Sequence, residues 1–269
     1  MKLSSKTIVI TGGGSGIGRA LTLAALSRGA RVAAVDLRAE GLKETAALAN
    51  AGDRLSTHVA DITDRAAVAA LPDAVAKAHG GIDGLINNAG VIQPFVPVSD
   101  LTLDQIDRLM TINLTGPINV TKAFLPVLLA RPEAHIANVS SMGGFIPFPG
   151  QTIYSAAKAA VKLLTEGLYA ELLDTNVGVS VIMPGAVATN ISVNSGVDMG
   201  AMGATDSKAA SRALPAENAA KIILDGIEAG RLHILVGKDA KMLNKLVRIA
   251  PAWAIRFIQK QMKSLLQKT

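Results

Sequence analysis

The sequence predicts an α/β fold: one doubly wound parallel sheet with helices on both faces. Three observations carry that expectation. Short apolar runs alternate with segments of helical period, the rhythm of βαβ units. Most of those runs are continuous rather than alternating, as in Ile8-Val9-Ile10 and Val32-Ala33-Ala34-Val35, so both sides of each strand need cover. Hydrophobic residues make up 49% of the 269, which supplies a large core.

Taken in order, the strands are expected at Thr7–Thr11, Arg31–Asp36, Leu55–Ala60, Gly84–Asn87, His135–Ser140, Gly178–Met183 and Leu232–Val236. Seven strands joined by right-handed crossovers give a single seven-stranded domain over residues 1–237. A helical stretch is expected at Asp104–Leu114. Residues 186–214 break the rhythm: they are rich in Gly, Ala, Ser and Asn and follow a strand directly, which marks a substrate lid. Residues 238–269 form a basic tail. After Pro251, Ile258, Met262, Leu265 and Leu266 recur at helical spacing, with Arg256, Lys260 and Lys263 on the opposite face, so an amphipathic helix is expected there.

The formal net charge is +6, but Lys241, Lys245, Arg248, Arg256, Lys260, Lys263 and Lys268 follow one another with no acid between them. The rest of the chain is therefore nearly neutral, and the basicity belongs to the tail. The absence of cysteine excludes thiol catalysis, thiolate metal sites and disulfides. His58, His79, His135 and His233 are scattered without acid partners at ligand spacing, so no metal is expected. One Trp, two Tyr and five Phe are too few for interleaved nucleic-acid contacts. The N-terminal run is too short for a signal peptide, and no segment reaches the length of a spanning helix. A cytoplasmic location is the expectation.

Two motifs carry chemistry. The first, Thr11-Gly12-Gly13-Gly14-Ser15-Gly16-Ile17-Gly18, lies between the first strand and a helical run. Glycines there let backbone approach a pyrophosphate, and the helix N-terminus behind offers unpaired N–H groups. Asp36 ends the second strand, and Leu37 and Arg38 follow it. An acid at Asp36 can bond both ribose hydroxyls of an adenosine and repels a 2′-phosphate, which favours NAD. Arg38, and Arg19 behind the glycines, could hold that phosphate instead, so NADP stays open. The second motif is Tyr154-Ser155-Ala156-Ala157-Lys158, with tyrosine and lysine at i and i+4 on one helical face. A phenol of ordinary pKa is a poor base at neutral pH, and a neighbouring ammonium brings it towards the working range. Tyr169 has no such lysine.

Together with Asp61, Asn87-Asn88-Ala89-Gly90, Asn113, Ser141 and Pro184-Gly185 with Thr189, these motifs stand in the order found in short-chain dehydrogenases/reductases, and from Thr7 to Val236 the chain resembles that family. The resemblance implies a Rossmann-type domain that moves hydride between NAD or NADP and a secondary alcohol or ketone. It gives Tyr154 the proton exchange with substrate, and Lys158 the tuning of Tyr154 and a bond to the nicotinamide ribose. Ser141, with Ser140 as rival, would hold the substrate oxygen, and Asn113 would support a water leading from Lys158. Asp61 and Ile62 would meet the adenine, Asn88, Ala89 and Gly90 the adenosine side, and Pro184, Gly185, Val187 and Thr189 the nicotinamide side. Asn87 and Gly90 are expected to serve architecture as much as binding.

The substrate wall is expected from Ile92, Phe95, Met142, Phe145 and Phe148, an apolar set that suits a hydrophobic ketone, with Gln93 as a polar contact. A reductase of acyl chains on an acidic carrier protein, and a dinucleotide sensor without turnover, are the competing functions. The family suggests a homodimer or homotetramer. For the tail, peripheral membrane contact stands against packing over the cleft or a neighbouring subunit.

Overall fold

The computed structural model describes residues 1–197 and 213–266. Its first half alternates β1 (Thr7–Thr11), α1 (Gly16–Ser27), β2 (Arg31–Asp36), α2 (Ala39–Ala49), β3 (Leu55–Val59), α3 (Arg65–His79) and β4 (Gly84–Asn87). Helices α4 (Leu103–Met110) and α5 (Gly116–Leu129) follow, then β5 (Ala134–Val139), α6 (Thr152–Glu171) and β6 (Val177–Pro184). Short pieces β7 (Val187–Ala188), α7 (Ile191–Ser195) and β8 (Leu214–Pro215) lead to α8 (Ala216–Glu228), β9 (His233–Val236), α9 (Lys238–Ile249) and α10 (Pro251–Leu266).

Seven strands pair in parallel in the order β3-β2-β1-β4-β5-β6-β9, as the apolar runs predict. Successive side chains leave opposite faces of a strand, and the core divides accordingly. On one face Ile8, Ile10, Val32 and Ile86 meet Leu21 and Ala25 of α1 and Ile223 and Ile227 of α8. On the other, Val9, Ala33, Val35 and Leu85 meet Leu71 and Val75 of α3 and Phe124 and Leu128 of α5. The order reverses between β1 and β4, and ligands of open α/β sheets settle at the carboxyl ends of strands beside such a switch.

Three expectations change in detail. The stretch Asp104–Leu114 is not one regular helix: α4 ends at Met110 and a π-type turn, Thr111–Thr115, joins it to α5. Such bulges recur at functional sites, and this one carries the buried Asn113. The tail has two helices, because Ala250 and Pro251 interrupt the backbone between α9 and α10; Pro251 opens α10, where its missing N–H costs nothing. Finally, α9 and α10 bury an inner face, with Leu243, Ala254 and Ile258 packed with Ile146 beside Met142, Phe145 and Phe148. Of the expected lid, 198–212 lies outside the described residues, as does Lys268 of the basic series; the backbone of Lys263, Leu265 and Leu266 is described within α10. Among the described residues no helix is long and apolar enough to cross a membrane, and no group of three or more His, Cys, Asp or Glu could hold a metal.

Candidate active site

A cleft of about 360 Å³ opens at the carboxyl ends of the strands. The β1–α1 turn forms its floor through Gly12, Ser15, Gly16 and Ile17. Gly12 adopts φ 70°, where a side chain is strained, and an added Cβ would stand 2.8 Å from Asn88 Nδ2. Gly18 opens onto the backbone instead: its Cβ would collide with the Gly12 carbonyl oxygen. Gly14 likewise stands behind the wall, donating its N–H to Asp36 Oδ2 at 2.9 Å. Gly14 and Gly18 thus shape the turn, while Gly12 and Gly16 face the space. Opposite, Gly16 looks across at Thr189, whose Cβ lies 3.4 Å from the Cβ a substitution would add. A backbone turn kept bare on one side and roofed on the other fits a dinucleotide pyrophosphate.

Asp36, Leu37 and Arg38 all line the cleft. Asp36 Oδ1 accepts the Arg38 N–H at 3.0 Å, so both carboxylate oxygens are oriented by backbone and keep lone pairs for a ligand. Arg38 bonds Asn194 Oδ1 at 2.7 Å and Ser15 Oγ at 3.3 Å, and Asn194 in turn donates to Ser15 Oγ at 3.0 Å. Arg19, entertained above as a phosphate ligand, points elsewhere. Its guanidinium binds the Gly14 and Gly41 carbonyls and Glu44, tying α1 to α2.

Asp61, Ile62, Asn88, Ala89 and Gly90 line the next part of the cleft. Asp61 Oδ1 accepts from the N–H and hydroxyl of Thr63, each at 2.8 Å. Thr11 Oγ1 accepts the N–H groups of Asn88 and Ala89 at 3.0 and 3.1 Å, which fixes β4's exit against the glycine turn. Asn87 is buried and donates to Thr121 Oγ1 and Asn138 Oδ1 at 2.9 and 2.8 Å, an architectural placement.

At the far end stand Ser140, Ser141, Tyr154, Lys158, Pro184, Gly185, Val187 and Thr189. The two serines differ in their hydrogen bonds. Ser140 Oγ donates to the Lys158 carbonyl at 2.6 Å and is buried. Ser141 accepts the Gly143 N–H at 3.0 Å and lines the cleft together with Tyr154. Tyr154 is half-buried, and removal of its hydroxyl from water raises its pKa above that of an ordinary phenol, with the Ser141 hydroxyl opposing. The net direction is opposite to the expectation that Lys158 lowers it. Lys158 Nζ stands 5.9 Å from the Tyr154 ring centroid and donates to the Val139 carbonyl at 3.0 Å. Burial brings Lys158 itself down to about 8. Asn113, fully buried, exchanges both of its amide bonds with Val91: Nδ2 to the carbonyl at 2.9 Å and Oδ1 from the N–H at 3.1 Å. A Cβ on Gly90 would meet Asn113 Oδ1 at 2.7 Å and Lys158 Nζ at 3.2 Å, so these three residues share one wall.

Gln93, Met142 and Phe148 do not line the cleft among the described residues. Gln93 is buried with its amide committed, donating to Gly150 and accepting the Tyr154 N–H at 2.9 Å each. Met142 and Phe148 turn to α9 and α10. Ile92 lines the cleft as expected, and the wall also includes Val91, Ile112 and Ile191, with Arg108 at the rim. Arg108 and Ile112 were findable, since they sit one turn apart on the helical stretch that carries Asn113. Nothing local in the sequence flags Asn194.

A family profile for short chain dehydrogenases matches residues 6–199. The chain belongs to the short-chain dehydrogenase/reductase family. This dehydrogenase is 38% identical over 250 residues to a Mycobacterium tuberculosis protein designated oxidoreductase SadH, covering 91% of this chain and 90% of the other. It is 34% identical over 245 residues to 1-deoxy-11-beta-hydroxypentalenate dehydrogenase of Streptomyces avermitilis, covering 90% and 88%. Among solved structures, a short-chain dehydrogenase/reductase of Burkholderia phymatum in complex with NAD superposes with a TM-score of 0.83 at 27% identity, covering 93% and 96%. The dehydrogenase is accordingly an NAD(P)-dependent oxidoreductase with the Rossmann-like fold of its family.

Proposed function

We propose that this dehydrogenase interconverts a hydrophobic secondary alcohol and its ketone, with Tyr154 exchanging the proton. The observation that carries the reading is the Tyr154–Ser141 hydroxyl pair, set in the same cleft as the glycine turn. The dinucleotide would be held by Gly12, Ser15, Gly16 and Ile17 at its phosphates, by Asp36, Leu37, Asp61 and Ile62 at its adenosine, and by Pro184, Gly185, Val187 and Thr189 at its nicotinamide. Bound there, it supplies the hydride acceptor or donor.

The chain's own groups handle the oxygen. In reduction the Tyr154 hydroxyl donates its proton to the carbonyl oxygen; in oxidation its phenolate takes the alcohol proton. Ser141 donates a hydrogen bond to the same oxygen and stabilises charge that develops on it. Lys158, titrating near 8, returns or removes the tyrosine proton on the wall it shares with Gly90 and Asn113. Val91, Ile92, Val187 and Ile191 make the surroundings apolar, which favours a ketone with hydrocarbon flanks over a polar sugar.

NAD is the preferred cofactor in this reading. Asp36 presents a backbone-oriented carboxylate to the cleft, and Arg38 is clasped by Ser15 and Asn194 rather than free for a 2′-phosphate. The NAD held by the similar Burkholderia phymatum enzyme supports it. The test is Tyr154→Phe on a panel of apolar ketones with NADH and NADPH. Turnover is expected to fall by about 10²–10⁴-fold while nicotinamide fluorescence still reports binding. Wild-type protein that binds either nucleotide and turns over no ketone, carrier-linked or free, would instead be a sensor.

A further inference from the structure

The inner faces of α9 and α10 are accounted for by the packing of Leu243, Ala254 and Ile258. Their outer faces are not. Ile249 is 84% exposed, and Met242 and Trp253 are each 55% exposed. Single exposed apolar side chains are ordinary, but these three form a ridge. Met242 and Ile249 lie two turns apart on one side of α9, and Trp253 follows just past the break at Ala250. Trp253 is steadied by stacking on Phe257, with centroids 5.4 Å apart and planes at 11°.

Cations run along the same ridge. Lys245 sits between Met242 and Ile249 at helical spacing, and Arg256 and Lys260 follow Trp253 at i+3 and i+7. Lys241 and Arg248 flank them, and all five are exposed. The one acid of these helices, Asp239, is turned inward to accept the Ala186 N–H at 2.7 Å. The ridge is therefore both apolar and uniformly positive.

That combination selects among occupants. A second copy docked by two-fold symmetry would lay the cations on themselves. An acidic protein surface would match the charge and leave Ile249 and the indole without an apolar bed. An anionic lipid surface satisfies both: indoles favour headgroup depth, and lysine stems carry their charge out to the phosphates. We propose that the outer ridge of α9 and α10 docks this protein on an anionic membrane surface, with Ile249 and Trp253 entering the headgroup layer. The proposal does not rest on the catalytic reading, since none of these residues lines the cleft.

Trp253 is the only tryptophan in the chain, so its emission reports directly. The full chain is mixed with phosphatidylcholine vesicles with and without phosphatidylglycerol. Co-sedimentation, a blue shift and quenching by bromine-labelled acyl chains are expected with the anionic vesicles, weakening as salt rises. Ile249→Asp is expected to abolish the shift, and the triple variant Lys245→Glu/Arg256→Glu/Lys260→Glu to weaken partitioning about tenfold or more. Circular dichroism and nicotinamide fluorescence check that both variants stay folded. Unchanged Trp253 emission with anionic vesicles overturns the proposal, as does equal partitioning of wild type and variants. A dimer dissolved by Ile249→Asp without vesicle binding would give the ridge to a second copy.

Discussion

At Tyr154 and Lys158, loss of water acts in opposite senses. The phenol is held neutral to higher pH, while the ammonium is brought down to about 8. For alcohol oxidation the phenol must give up its proton before it can accept one, so kcat/KM is expected to rise with pH and, with the phenol held above its ordinary value of about 10, to be still rising there, and ketone reduction to fall. A flat profile for both directions, measured with chemistry rate-limiting, would remove Tyr154 from the proton path. His135 shows the same physics away from the site. Burial, helped by the nearby N-terminal ammonium, lowers it to about 4, with Glu133 opposing. Ser180 donates to the Arg231 carbonyl, so its oxygen accepts from His135 Nε2, and the ring is neutral with its proton there. Between the unfolded value of about 6.5 and about 4 the unfolded chain binds the extra proton, so stability is lost as pH falls through that window and levels off below it, by up to about 3 kcal/mol. Urea titrations of wild type and His135→Asn across that range check this; the variant's stability should change less.

At the scale of elements, the glycine turn and α1 act as one piece. Gly18→Ala would drive a methyl into the Gly12 carbonyl, so the turn must deform. Nicotinamide binding is expected to weaken by at least about tenfold, a cost of about 1.4 kcal/mol, read by fluorescence titration. Much of this scale was legible in sequence. The inner strands were, because parallel strands buried on both sides read as apolar runs bounded by Gly, Asp or Asn; edge strand β3, Leu55–Val59, carries no such run. The glycine turn and the Tyr154–Lys158 pair could be located, because spacing within one turn or one helix survives folding unchanged; Ser141 and Asn113 were singled out only through the family's motif order. What was hidden depends on contacts between distant segments. Gln93 looked like a free amide beside the cleft, yet Gly150 and Tyr154, 57 and 61 residues away, occupy it. The Arg38–Ser15–Asn194 clasp joins three segments that no periodicity relates. The π-type turn at Asn113 escaped for another reason: one extra residue in a helix leaves its apolar spacing nearly intact.

For the molecule as a whole, the C-terminal helix pair is a second, smaller core added to the sheet's two. Ile258→Ala, at 6% exposure between α10 and the loop after β5, is expected to cost about 2–5 kcal/mol. Urea unfolding measures it, and a value under about 0.5 kcal/mol would mean that the small core contributes little. Met142, Phe145 and Phe148 depend on that core, and they adjoin Ser141 in the chain. Chain order gives this a further meaning. All seven strands precede α9 in the chain, so pairing of the sheet does not need the helix pair, whereas the loop beside Ser141 gains its cover only from it. The architecture can thus exist without a competent catalytic wall. In that state the bare aromatic loop is the surface a chaperone would most readily grip.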